Sequence, residues 1–441
     1  PAEAETIYRE AIKAAKEIPI TYSPWEPAEA SLALARYYSE TGRFADALTT
    51  AKDALEYNND QEQRMNVLEW IGGHYLQHNN LDEAIAWYRN GLEHFSRTRW
   101  SGWSWLHSLI NAIALKDGLE AAVSLGNDLL TQHRDDSEVV ETVLKAMAYS
   151  SLETGNIEKA KGFLEKLETS SPDKEKMDLR SLKLSLALAE KNYDEALKVA
   201  RTLSYTCGGK RSFYADIVQS NLSAVADFGD VKKTEEKWRQ NLMKYPECET
   251  DDGYEICWGA IKFYLLSGRY SEAHKIAKIL SNRKFVEHWN YSYEHKDLAH
   301  LFALAGDSDD AGKCLAKIGE RDSGKINFIL SIGEVYYHIG ETEKARQYFD
   351  RIVKVYEKEG YTDVPDYALA LTYMGDMKKA VQLIGALLKM FPRDSDTLVA
   401  AAKIYRLAGD DENADACIET LISTRFFSYF YDLSLAYAMK K

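Results

Sequence analysis

Five sets of residues in this 441-residue chain have types and spacings that chemistry could use. His74 and His78 stand four apart, which on a helix puts two imidazoles on one face, as in a metal-binding pair. No Glu follows the first His as in H-E-x2-H, and His78 falls where the helix ends, so packed or solvated imidazoles are the plainer reading of this pair and of His288 and His295 in HWNYSYEH. Gly208-Gly209-Lys210-Arg211-Ser212 has the composition of a phosphate loop, yet G-x4-G-K-[ST] is absent and no strand precedes it. It reads as a turn between helices. Trp100, Trp103 and Trp105 in WSGWSW could stack a sugar or an apolar peptide side chain, but Trp105 lies four residues from Leu109, and packing is the better reading for most of the cluster. Cys207, Cys248, Cys257, Cys314 and Cys417 are odd in number, scattered and never spaced C-x2-C, which predicts neither a disulfide framework nor a zinc site and suggests a reducing compartment. With 69 Asp plus Glu, carboxylate pairs at helical spacing are no argument for acid–base catalysis. The residues offer no catalytic, metal or cofactor constellation, and the chain is expected not to be an enzyme.

The elements that hold these residues are helix pairs, and the clearest is Leu68 to Leu92. Leu68, Ile71, Tyr75 and Leu76, then Leu81, Ile85, Tyr88 and Leu92, follow helical spacing. His78-Asn79-Asn80 breaks the pattern: Asn tolerates the left-handed conformation that ends helices, and Asp82 and Glu83 suit the positive N-terminus of the next one. Gly72 and Ala84 are small where two antiparallel helices approach. The set Leu68, Ile71, Gly72, Tyr75, Ala84 and Tyr88 resembles the tetratricopeptide signature W-x2-L-G-x2-Y, A-x3-F, with Ser96 in place of the late Pro. Ile329, Ile332, Gly333, Tyr336, Ala345 and Phe349 repeat it, and these two stretches are the best-formed units.

Aligning the small residue of each second helix gives Ala47, Ala84, Ala122, Ala160, Ala196, Thr234, Ala273, Ala311, Ala345, Ala380 and Ala414. Subtraction gives steps of 37, 38, 38, 36, 38, 39, 38, 34, 35 and 34, so only the last part keeps the 34-residue period of the family. Five residues earlier stands Gly in eight units: Gly42, Gly155, Gly229, Gly268, Gly306, Gly340, Gly375 and Gly409. Gly takes the left-handed helix cap without steric cost. Unit two has Asn79 there, while Gly118 and Asn192 look displaced by one. The expected fold is therefore all-α: a right-handed α-α superhelix of about eleven such repeats over 28–424, with a helix and Pro-rich connection in 1–27 and an aromatic capping helix in 425–441. Long inter-unit loops are expected at YTCGGKRS (205–212) and KYPECETDD (244–252), and Thr234 with Trp238 marks the most divergent unit.

A net charge of -14 opposes a nucleic-acid partner, since phosphate binding draws on clustered Lys and Arg. The charge also argues against the related RNA-reading pentatricopeptide arrays. No run of 18 apolar residues is present to insert in a membrane, and the acidic start is no signal peptide, so a cytoplasmic location is expected. Because the chain starts at Pro1, that expectation allows for a missing targeting segment or N-terminal domain.

The resemblance implies that first helices line the concave surface. Carried over position by position, this gives Asn66 and Glu69; His107 and Asn111; Lys145 and Tyr149; Ser181 and Ser185; Gln219 and Ser223; Trp258 and Lys262; Lys296 and His300; Glu334 and Tyr337. The family's clamp for chaperone C-termini, with its Lys and Asn pattern, is missing. Trp258 and Lys262 followed by Lys296 and His300 form the most suggestive group, an aromatic anchor beside cations. The resemblance thus implies a scaffold that binds a protein or peptide partner of unknown identity in its groove. Two readings compete with it: a ligand-sensing region of a larger signalling or nucleotide-hydrolysing protein, and a carbohydrate-binding envelope scaffold.

Overall fold

The computed structural model describes residues 2–17, 26–56, 61–92, 103–170, 177–206, 214–225, 228–246, 251–282 and 291–424. Among the described residues eleven helix pairs follow one another, here called units 1 to 11. Units 1 to 4 are Glu26–Glu40 with Phe44–Ala54, Gln61–Gln77 with Leu81–Leu92, Trp103–Asp117 with Leu119–Gln132, and Ser137–Glu153 with Ile157–Ser170. Units 5 to 8 are Met177–Ala189 with Tyr193–Thr206, Tyr214–Val225 with Val231–Lys244, Asp251–Leu266 with Tyr270–Ser281, and Tyr291–Leu304 with Ser308–Leu315. Units 9 to 11 are Ile326–His338 with Thr342–Glu359, Pro365–Tyr373 with Met377–Met390, and Ser395–Leu407 with Asp411–Thr424. Among the described residues no strand occurs. Ala2–Glu17 packs on the first helix of unit 1, where Glu5 accepts hydrogen bonds from Tyr38 at 2.8 Å and Arg43 at 2.5 Å.

The corner chemistry follows the sequence. All eight corner glycines have φ between +72° and +93°, and Asn79 has φ +59°. Unit 5 corrects the expected displacement: Lys191, φ +57°, holds the corner in register, and Asn192 accepts the Glu195 N–H at 3.3 Å as a cap. In unit 3 the first helix runs on to Asp117, and Gly118 alone joins it to the second. The close approaches are equally specific. A Cβ on Gly72 would lie 2.6 Å from the Tyr88 ring, and one on Gly333 2.7 Å from Phe349, so the aromatic of each second helix fills the space a side chain would take. Unit 6 diverges because its Trp238 lies over Gly259 of unit 7 instead, with its indole N–H donating to Ser220 Oγ at 2.7 Å.

One cysteine departs from expectation. Cys257, fully buried, is disulfide-bonded, while Cys314 and Cys417 are free and burial pushes both thiols up to about 11. The inference of a reducing compartment from scattered cysteines loses its support at that bond.

The array does not remain an open spiral. Phe44, at the start of the second helix of unit 1, is 2% exposed, and its ring centroid lies 5.6 Å from that of Tyr356, 5.4 Å from Tyr361 and 4.4 Å from His78. Gly42 faces Val355 and Ile326 of unit 9. The Glu359 carboxylate accepts the N–H of Ala45, 314 residues earlier in the first turn of its helix, at 3.1 Å, and Lys325 bridges Glu40 at 3.2 Å. Further along, the second helix of unit 11 packs on the first helix of unit 5. Each unit turns slightly relative to its neighbour. Eight steps of that rotation bring unit 9 back against unit 1.

Candidate functional site

The concave surface carries its side chains at fixed places in the repeat. One position of the first helix recurs in cavity linings: Arg36 and Gly73 line one cavity, and Asn111, Glu334, Leu369 and Lys403, at the same place in their repeats, line another. Two cavities are lined by the described residues of the first helices and their neighbours.

The smaller, about 490 Å³, lies along units 1 to 3. Asn66 and Glu69, both predicted from sequence, line it together with Arg36, Trp70, His74 and Ser108. His74 is 3% exposed and stacks on Trp70 at 5.3 Å, with Nδ1 3.3 Å from Ser39 Oγ.

The larger cavity, about 900 Å³, is a chamber between the two ends of the array. Its walls come from units 1 to 4 on one side and units 8 to 11 on the other. The predicted residues His107, Asn111, Lys296 and Glu334 all line it. His107 Nε2 is 3.5 Å from Glu153, and its ring meets Tyr149 edge to face at 5.9 Å. At the floor, Glu334 is 2% exposed and bonded to Lys403 at 3.0 and 3.2 Å, and the Tyr373 hydroxyl donates to it at 3.0 Å. Burial alone would raise the Glu334 carboxyl, but the Lys403 charge and hydrogen bonds hold it down to about 2. His300 Nδ1 lies 3.8 Å from Glu334, and the His338 ring lies 5.5 Å from that of His300.

Other predicted positions fall elsewhere. Lys145 is nearly buried against Glu141 at 2.9 Å. Trp258 is 8% exposed and sits in the core of units 6 to 8, edge to face with Tyr254 at 6.4 Å. Lys262 is half-buried on the same helix. Lys296, 3.4 Å from Asp297, lies over the Tyr293 and Phe328 rings. The group of Trp258, Lys262, Lys296 and His300 is therefore not an aromatic anchor standing beside free cations: the indole and imidazole are core, and the Lys296 ammonium is already engaged. Tyr337 is 39% exposed and edge to face with Tyr373 at 4.9 Å. Trp100, the Trp103 side chain, His288 and the 425–441 segment lie outside the described residues. Sequence reasoning missed Lys403 and Tyr373. The signal for Lys403 was present, because it occupies in unit 11 the position that Glu334 has in unit 9 and His300 in unit 8.

The buried imidazoles set a pH dependence. Burial depresses His300 and His74 to about 3 each, and it lowers His78 and His338 as well. Below about pH 6.5 an unfolded chain protonates these groups while the folded one does not, so stability falls by about 1.4 kcal/mol per pH unit for each strongly depressed histidine. Urea midpoints should drop steadily from pH 7 to pH 5, and a flat profile there would contradict the burial of these rings.

Among the described residues no group of three or more His, Cys, Asp or Glu could hold a metal ion, and no helix is long and apolar enough to cross a membrane. Family models described as tetratricopeptide repeat match residues 32–93 and 329–358, the regions of the two best-formed stretches. Among solved structures, yeast Tom70 is 13% identical over 89% of this chain and 91% of its own, with a TM-score of 0.33. Cut9–Hcn1 from the APC/C hetero-tetramer is 12% identical over 93% of this chain and 75% of its own, with a TM-score of 0.37. A tetratricopeptide repeat protein from Parabacteroides merdae is 13% identical over 78% of this chain and 98% of its own, with a TM-score of 0.26. No match was found among curated protein sequences.

Proposed function

We propose, from the premise that the chain is a helical repeat protein of tetratricopeptide type, that it is a non-catalytic scaffold holding an extended segment of a partner protein inside the chamber. The observation that carries this reading is the chamber itself: about 900 Å³ lined by residues from both ends of the array, many of them on first helices. Rigid helices present the lining side chains, so little ordering is needed when a segment enters, and that favours binding. The lining mixes amides, hydroxyls and charges with apolar surface, which suits a polypeptide having both backbone polar groups and side chains.

A plug separates this reading from binding on the outer surface. Ser331 lines the chamber and is half-buried, so a Trp there projects into the space with little disturbance of the core. Partners captured from host lysate by the wild type are expected to be lost by Ser331→Trp while the melting temperature stays close to that of the wild type. Capture of the same partners by the plugged variant would place the site elsewhere.

A further inference from the structure

The polar groups of the chamber are unbalanced in a way that selects its occupant. Six carboxylates line it, Glu153, Glu334, Asp363, Asp366, Asp394 and Asp396, against the cations Lys296, Arg393 and Lys403. Lys403 and Glu334 neutralise each other, which leaves five carboxylates against Lys296 and Arg393, and Lys296 lies beside Asp297. The histidines offer little compensation: burial depresses His78, which also lines the chamber.

Ser395, Asn79 and Asn111 belong to the lining, but their unpartnered atoms are themselves buried, so the selection rests on charge. An ammonium or guanidinium is a cation that donates several hydrogen bonds and accepts none, which suits carboxylates. The whole chain, at -14, also attracts such a group from a distance.

We infer that the segment held in the chamber is basic, a stretch of polypeptide carrying Lys or Arg, an inference that rests on the chamber being the binding site. The lining carboxylates Asp363 and Asp396 are exposed and meet the cationic side chains first.

The test uses the full chain and labelled peptides of equal length in which Ser alternates with Lys, Glu or Asn, read by fluorescence anisotropy near physiological ionic strength, where the Debye length is about 8 Å. The Lys peptide is expected to bind and the Glu peptide not to. Asp363→Asn with Asp396→Asn should weaken the Lys peptide by about tenfold, equivalent to about 1.4 kcal/mol, and Ser331→Trp should abolish its binding. Equal or tighter binding of the Glu or Asn peptide overturns the charge assignment. So does failure of every peptide to bind, and if Ser331→Trp still removes the captured partners, the chamber reading survives that failure. Lys-peptide binding that persists in Ser331→Trp is attraction to the outer surface and also overturns the inference.

Discussion

Replacing Lys403 by Met should destabilise the protein by about 3–5 kcal/mol, the usual cost of leaving one member of a buried ion pair without its partner. Glu334 is 2% exposed, and in the variant the Tyr373 hydroxyl and the buried His300 and His338 rings are left near its carboxylate, with no cation bonded to it. With Lys403 gone, burial dominates and the carboxyl rises from about 2 into or above the ordinary range. The stability gap between wild type and variant should therefore be widest near neutral pH and narrow on acidification, as protonation removes the stranded charge. The pair Glu334→Leu with Lys403→Met should recover most of the loss, because matched apolar groups of similar size often replace a buried ion pair at little cost. Urea unfolding of the three variants at pH 7 and pH 5 checks this. A small loss in Lys403→Met with no pH dependence would mean that water reaches the pair.

Phe44→Ala is expected to cost about 3–5 kcal/mol, the range for truncating a buried Phe, and to do something most core truncations do not. The ring is the centre of the contact between units 1–2 and units 9–10, with Tyr356, Tyr361 and His78 around it. The His78–Tyr361 contact at 4.3 Å loses the ring that both pack on, which leaves it with the Gly42 contact, the Glu359 cap and the Lys325–Glu40 bridge, whose lysine is buried and whose glutamate is exposed. The variant should therefore open: small-angle scattering should show a larger radius of gyration, and Phe44→Leu should stay compact. A stability loss with unchanged dimensions would show that the second join, between units 5 and 11, suffices to keep the turn closed.

Local structure was legible in the sequence because it obeys local rules. The corner glycines, the Gly72 and Gly333 approaches and the count of helix pairs all follow from spacing within one unit. A small part of the chamber lining was legible for the same reason, since His107, Asn111, Lys296 and Glu334 sit at repeat positions. Lys403 lies at the same position two units further on, so its absence from the expected set reflects where the mapping was stopped. The closure was not legible. Phe44 reads as an ordinary residue opening a helix, and nothing near it in sequence indicates that Tyr361 will be its neighbour, because that contact depends on small rotations summed over eight units. Trp258 failed for another reason: aromatic residues serve core and groove equally well, and only the path of the neighbouring helix decides between them.

The cap that Glu359 places on Ala45 turns the number of units into a fixed quantity. In an open spiral, a unit could be lost or duplicated during evolution with only the length of the array changing. Here, removing one pair between units 1 and 9 would carry the second join out of phase with the first. Phe44 would face a different face of a different helix. Selection on this gene should therefore tolerate substitutions within units and loop insertions between them, while rejecting gain or loss of whole internal units. The chain would also remain an unfinished spiral during synthesis until the ribosome has passed residue 361.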